Sequence, residues 1–332
     1  MTANHTSKVA VITIGLVVCL TIGATALVRG GFADKPTGRS PFDSSVLGAI
    51  DTSKRIDAIS RTSTRTLPAP VPVPVPVIDP YRLPEPAVVA LLPKARYDSV
   101  IGGLLAFQQN TPSAGIAQAT NRALPAIAYT LVSDALVYGS IAGDPVALMP
   151  AVNFLGDSSV IVPVETVGNW ALVLLPSRQR LPSASGGFAP AQSMGWIRRD
   201  LLRNPTRLAA HVVIALSART MTIVTSAEND SHAVFAVGVG TAATPTPSNV
   251  TGYLQARYLD PAQNQRTRAV QLTSLHSSVA DEPYGGSDGG LIGIHYETTA
   301  TGAISHGCVR LSAAALAAVS ALPLGTLITI NG

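Results

Sequence analysis

The run Val9 to Val28 is apolar and uncharged, with Lys8 before it and Arg29 after it. About 20 such residues cross the hydrocarbon core of a bilayer as one helix. Residues 1–8 then read as a short cytoplasmic tail, 9–28 as a transmembrane signal anchor, and everything after Arg29 as lying outside the membrane. The small residues Ala24-Thr25-Ala26 allow a second reading, a signal peptide cleaved there. Hydrophobic patterning lapses from Gly30 to about Thr66, where Ser, Thr, Asp and Arg predominate, and gives way to alternating proline from Pro68 to Val77. Pro80, Pro84, Pro86 and Pro93 follow. Proline fixes φ and removes a backbone donor, so residues 29–93 read as a disordered and Pro-rich spacer with neither helix nor central strand. At about 3.1 Å per residue its polyproline II part spans roughly 60 Å and sets a distance from the bilayer.

Residues 94–140 hold apolar stretches, Ser99 to Phe107 and Ala123 to Leu136, whose period does not decide between short helices and strands. Residues 141–203 turn to short β-like runs between Gly, Pro and Ser, clearest at Val160 to Val164, Trp170 to Leu175 and Met194 to Ile197. The pattern Gly168-Asn169-Trp170, a strand, a variable loop and Gly195-Trp196-Ile197 resembles a bacterial SH3-like domain. Burial in a core is the ordinary role of both tryptophans.

From residue 204 to 332 the pattern sharpens into a second domain of ordinary size. Ala210 to Leu216, Thr220 to Thr225 and Ala233 to Val239 alternate and are joined by short turns, which predicts an antiparallel meander. A long polar stretch follows, from Thr244 to about Ser278, then the glycine-rich Gly285 to Gly290 and a buried strand over Leu291 to His295. Ser312 is a good N-cap for a helix over Ala313 to Leu322, stopped by Pro323 and Gly325. Thr326 to Ile330 closes with one more strand. The fold class is mainly β.

Composition narrows the function. Hydrophobic residues make up 47% and charged residues 13% of the chain, enough apolar material for a core and too little charge for global disorder. The net charge of +4 comes without any Lys/Arg-rich run, which excludes nucleic acid as a partner. The 2 cysteines, Cys19 and Cys308, make no disulfide framework, since Cys19 lies in the apolar run.

Cys308 stands in Ile304-Ser305-His306-Gly307-Cys308-Val309-Arg310, and His295 stands at the end of the strand before it. A thiol with pKa about 8.5 becomes a nucleophile at neutral pH when an imidazole takes its proton. His295 is aimed by its strand and ranks ahead of His306 as that base. Gly307 permits a sharp turn, and the N–H groups of Gly307 and Cys308 are candidates for holding an oxyanion. Arg310 offers a planar fork to a substrate carboxylate, or pairs with a nearby acid. His295, His306 and Cys308 are also a partial zinc set. No Cys-x-x-Cys, His-Glu-x-x-His or obvious fourth ligand accompanies them, so no metal and no cofactor is expected.

Ile294-His295, a short loop with Gly302, and Ser305-His306-Gly307-Cys308-Val309-Arg310-Leu311 resemble the signature of the L,D-transpeptidase (YkuD-type) catalytic domain. Phe235 to Gly240, Thr246-Pro247 and Gly325 to Ile330 are similar to that family as well. The family usually has Gly after the base histidine, where this chain has Tyr296-Glu297. The resemblance implies a β-rich catalytic domain and cysteine chemistry on peptidoglycan stem peptides. The thiol displaces D-alanine from a tetrapeptide stem, and an amine of a neighbouring stem captures the thioester as a 3→3 cross-link. It implies acylation of the same thiol by carbapenem-type β-lactams. Carried over, Cys308 is nucleophile, His295 is base, and the Tyr296 carbonyl orients the imidazole. Ser305, His306, Gly307 and Arg310 shape the pocket. A cysteine hydrolase of the L,D-carboxypeptidase type, with water as acceptor, and a non-catalytic wall-binding protein are the alternatives. The expected setting is a bacterial cell envelope, with the catalytic domain outside the cytoplasmic membrane.

Overall fold

The computed structural model of the chain describes residues 81, 84–107, 125–225, 232–282 and 290–332. The expected tail, membrane segment and most of the spacer lie outside the described residues, as does most of the glycine-rich stretch before Leu291. Among the described residues no helix is long and apolar enough to cross a membrane.

The spacer expected to run through residue 93 ends earlier. Pro86–Val89 form one helical turn, α1, with Pro86 in its first turn, where a missing N–H leaves no bond unmade. Tyr81, Val89 and Leu92 pack against a cluster containing Tyr138 and Trp170. The Tyr81 ring meets Trp170 edge-on, centroids 5.7 Å apart. Apolar residues between the prolines thus have a core to bury against, which alternating proline alone does not reveal.

The first sheet uses β1 (Leu105–Ala106), β3 (Ala135–Tyr138), β4 (Pro145–Met149), β5 (Val162–Val167), β6 (Trp170–Leu175) and β7 (Ser193–Arg198), while β2 (Ile127–Leu131) pairs separately with β8 (Leu202–Arg207). The order is β4-β3-β7-β6-β5, with β1 added on β7. The expected start of this region at residue 141 is corrected, because strands from the undecided stretch 94–140 belong to it. Their partners are far off in sequence, Leu105 opposite Met194 and Tyr138 opposite Trp196, so local period could not show them. Strand β6 is buried along its whole length. Ala171, Val173 and Leu175 face one core with Ile161 and Ile197. Trp170, Leu172 and Leu174 face another, with Trp196, Tyr253 and Leu327.

Tyr253 and Leu327 come from the second sheet, so the two sheets share that core. The second sheet runs through β9 (Ala210–Ala215), β10 (Thr220–Thr225), β11 (His232–Ala236), β12 (Gly238–Gly240), β13 (Val250–Asp260), β14 (Gln265–His276), β15 (Leu291–Tyr296), β16 (Gly302–Ser305), β17 (Val309–Leu311) and β18 (Leu327–Asn331). Its order is β11-β10-β9-β18-β13-β14-β15-β17-β12-β16. Strands β9, β10 and β11 form the antiparallel meander that alternation predicts. Helix α2 (Ala313–Ser320) is capped by Ser312, whose Oγ accepts from Ala315 N at 3.3 Å. Its Ala315, Leu316 and Val319 enter a core with Ile294, Val309 and Leu311.

The long polar stretch expected after Thr244 is instead the hairpin β13–β14, the longest strands of the sheet. Several of its polar side chains, Thr251, Gln271, Thr273 and Ser274 among them, are buried, which hides the alternation. Thr273 Oγ1 donates to Ile292 O at 2.5 Å, and Ser274 Oγ donates to Gln192 Oε1 at 2.6 Å. The seam with the first sheet is equally polar. The buried Arg178 guanidinium donates to the carbonyls of Ser277, Ala280 and Asp281 at 3.1, 3.0 and 3.0 Å. His276 N donates to Ala191 O and Ala189 N to Ser278 O, each at 2.9 Å.

Candidate active site

Strands β15 and β17 run parallel, with Ile294 opposite Val309 and His295 opposite Arg310. Side chains alternate along a strand, and Ile294 and Val309 are both fully buried in the core. The same parity puts Gly293, His295, Cys308 and Arg310 on the opposite face. There Gly293, His295 and Cys308 line a small pocket of about 20 Å³ with Tyr258, Gln263, Val270, Leu272 and Leu291. The hairpin β13–β14 therefore supplies the outer wall of the site.

Cys308 is 4% exposed. Its Sγ accepts from Gly293 N at 3.4 Å and lies 3.8 Å from Leu291 O. The missing side chain at Gly293 makes the space: a Cβ there would meet Val270 Cγ1 at 3.2 Å and Sγ at 3.8 Å. The approach of an amide N–H to sulfur favours the thiolate, as any donor to the charged form does.

The turn that delivers Cys308 depends on Gly307, whose φ of +119° lies where side chains are rarely tolerated. Thr246 braces it. Its Oγ1 accepts from Gly240 N at 2.8 Å and donates to Gly307 O at 2.7 Å. Ser305 Oγ donates to Cys308 O at 2.5 Å and accepts from Gly307 N at 3.2 Å. The Gly307 N–H thus donates inside the turn, and Ser305, at 1% exposure, frames it.

His295 is buried at 5% exposure. Its Nδ1 lies 3.2 Å from Tyr296 O and 3.8 Å from Glu297 Oε1, both acceptors. That environment assigns the proton to Nδ1 and leaves Nε2 with its lone pair. Gln265 Nε2 donates to the same Tyr296 carbonyl at 2.9 Å and lies 3.4 Å from Nδ1, so ring and amide converge on one oxygen. Burial holds the His295 imidazole below its ordinary pKa of 6.5, against the Tyr296 carbonyl and Glu297, which raise it. The ring is neutral near pH 7 and fit to accept a proton.

Arg310 is half-buried, and among the described residues its Nε makes no hydrogen bond. Its charge adds to the depression of His295. His306 is exposed and does not line the thiol pocket. Among the described residues no group of three or more His, Cys, Asp or Glu is placed to hold a metal, so His295, His306 and Cys308 are not gathered as a zinc set. Sequence reasoning missed Gln265 and Gly293 as site residues, and it had no separate role for Glu297. A glycine in the middle of a buried strand was the one signal for Gly293, since such a residue marks a close approach.

A thiol and an imidazole line one pocket, carried by parallel strands of a mixed sheet, and residues of these types can act as nucleophile and base. Residues 209–330 match the family model of the YkuD L,D-transpeptidase catalytic domain, and this part of the chain is a domain of that family. No curated protein matches the chain. Among solved structures, an L,D-transpeptidase from Stackebrandtia nassauensis is 16% identical, covers 38% of this chain and 57% of its own, and has a TM-score of 0.27. The chain thus spans little more than half the length of that protein. L,D-transpeptidase 1 of Mycobacterium tuberculosis is 14% identical, with 42% of this chain and 78% of that one covered and a TM-score of 0.28. L,D-transpeptidase 3 of the same organism, in complex with a faropenem-derived adduct, is 14% identical, with 50% and 92% covered and a TM-score of 0.27.

Proposed function

We propose that the chain is a peptidoglycan L,D-transpeptidase that forms 3→3 cross-links through a thioester on Cys308. The observation that carries this reading is the His295 tether. With Nδ1–H directed at the Tyr296 carbonyl, Nε2 is the nitrogen left to take a proton, in the pocket that holds Sγ. His295 accepts the thiol proton, and the thiolate attacks the carbonyl between the third stem residue and D-alanine. The tetrahedral intermediate collapses, the C–N bond breaks, and the imidazolium returns the proton to the departing D-alanine amine. An amine of a second stem then attacks the thioester, giving its proton to His295, and the amide forms as the thiol is restored. The pocket is too small for a peptide as it stands, so the donor enters by displacing Tyr258 and Gln263 on the β13–β14 hairpin. Arg310 provides a cation for a stem carboxylate. Carbapenem-type β-lactams acylate the same sulfur. In the same proposal the first sheet is an SH3-like module, and the N-terminal apolar run holds the chain at the outer face of the cytoplasmic membrane.

The test is incubation with a disaccharide-tetrapeptide and mass analysis of the products. A dimer lacking one D-alanine supports the proposal. A monomeric tripeptide means that water is the acceptor and the chain is a hydrolase. With no product and no covalent carbapenem adduct, the domain does not do this chemistry. Cys308→Ala is expected to abolish both turnover and adduct, and Cys19→Ala neither.

A further inference from the structure

A cavity of about 210 Å³ opens where the first sheet meets β13, separate from the thiol pocket. Its walls carry polar groups already oriented by the fold. Asn153 Oδ1 accepts from Leu155 N at 2.8 Å and Asp157 N at 3.1 Å, which leaves the Nδ2 amino group as the donor it presents. Gln255 Nε2 donates to Thr273 O at 2.7 Å, which leaves Oε1 as the acceptor. Lys94 and Arg96 bring positive charge to the same cavity. The Lys94 ammonium has no carboxylate partner among the described residues, and Arg96 reaches Asp98 only at 3.7 Å across an exposed contact that solvent screens.

The remaining wall is aromatic. Tyr97 and Phe154 both line the cavity, with ring centroids 4.5 Å apart, and both are half-buried. Phe154 meets Tyr258 edge-on at 5.9 Å, and Tyr258 lines the thiol pocket. Tyr97, Phe154 and Tyr258 thus form one ridge from this cavity to Cys308. His276 Nε2, 2.9 Å from Tyr97 O, fixes the cavity end of the ridge to β14.

We propose that this cavity binds an anionic acetamido sugar. An aromatic face takes the apolar face of a pyranose ring, a fixed donor and a fixed acceptor pair with the carbonyl and N–H of an acetamido group, and Lys94 neutralises a carboxylate. Resting on the function proposed above, the source is the glycan strand of the wall, at units whose lactyl carboxylate carries no stem peptide and is therefore ionised. The strand is gripped at one unit while the stem of a neighbouring unit reaches Cys308 along the ridge.

The experiment is a titration of the full chain with a peptide-free disaccharide bearing a lactyl carboxylate, and with the same disaccharide converted to its amide. Saturable binding of the acid is expected, weakened at least about tenfold by amidation and by Lys94→Glu, since each removes a charge-assisted contact. Asn153→Leu, which keeps the volume and deletes the amide, is expected to weaken both ligands. Absence of saturable binding, equal binding of acid and amide, or full affinity in Lys94→Glu overturns the proposal. Adduct formation at Cys308 is scored separately with a carbapenem. If the thiol is acylated and the sugar does not bind, the cavity proposal falls and the catalytic reading stands. If the sugar binds and the thiol is inert, the cavity proposal stands without it.

Discussion

His276 and His295 lie on neighbouring antiparallel strands, β14 and β15, and both rings are buried. Burial is the leading cause of a depressed pKa in each. At His276 the Arg178 charge adds to it, and the value is pushed down to about 3. There the Nε2 atom is tied to Tyr97 O at 2.9 Å, so the ring acts as a strut between β14 and the segment that enters the first sheet. At His295 the tether is on Nδ1, and the residue lines a pocket together with Cys308. Burial is enough to keep an imidazole neutral. To act as a base, as proposed for His295, it also needs one nitrogen pinned by an acceptor and the other left beside a proton.

The comparison is broken most strongly by exchanging roles. His295→Ala is expected to lower the rate of thioester formation by about 10²–10⁴-fold, the usual loss with a general base, at little change in melting temperature. A mild effect, read as carbapenem acylation rate, would overturn the role of His295 as base. His276→Ala should do the reverse. It deletes a buried hydrogen bond and leaves the Tyr97 carbonyl unsatisfied, at about 1–3 kcal/mol in chemical denaturation, while activity per folded molecule stays within a few-fold. Gln265→Ala is expected to lower kcat about tenfold with KM nearly unchanged, because it loosens the carbonyl that aims the base without removing any group that touches the thiol. Gln265→Glu should not rescue, since a carboxylate cannot donate to Tyr296 O.

The pH responses sharpen the same contrast. His295 must be neutral to take a proton, and its pKa is held below 6.5, so the acid limb of kcat/KM should lie below that of an ordinary imidazole. His276 bears on stability. The folded ring resists the proton that the unfolded chain accepts, so the unfolded state binds more protons between about 3 and 6.5. Stability is full above about 6.5 and falls as pH drops towards about 3, by up to about 1.4 kcal/mol per pH unit from this group. His276→Gln should flatten that part of the curve, as followed by denaturant midpoints across the range.

Much of the thiol site was legible because its parts are close in sequence. Cys308, Gly307 and Ser305 share one turn, and His295 ends a strand that its own apolar run announces. What the turn does with each residue was less visible: the Ser305 hydroxyl and the Gly307 N–H both look available until Thr246 and Cys308 are folded against them. Gln265 could not be found, because it reaches Tyr296 only through the pairing of β14 with β15, and it sat in a stretch that reads as a polar loop. The same cause hid the hairpin itself. Thr251, Gln271, Thr273 and Ser274 are polar and buried, so hydrophobicity does not alternate where the strand does. In the first sheet the apolar runs were present without a decisive period, because strands such as β3 and β6 are buried on both faces, and strands from Leu105 and Ala135 find their partners too far away for local reading.

The shared core between the sheets has a practical corollary for anyone dissecting the protein. The family match begins at residue 209, which invites a gene trimmed to that point. Such a fragment would carry Tyr253 and Leu327 with nothing over them, and carbonyls at Ser277, Ala280 and Asp281 stripped of their guanidinium. Its inactivity would measure stickiness and misassembly, so activity maps drawn from truncations would misplace the catalytic boundary.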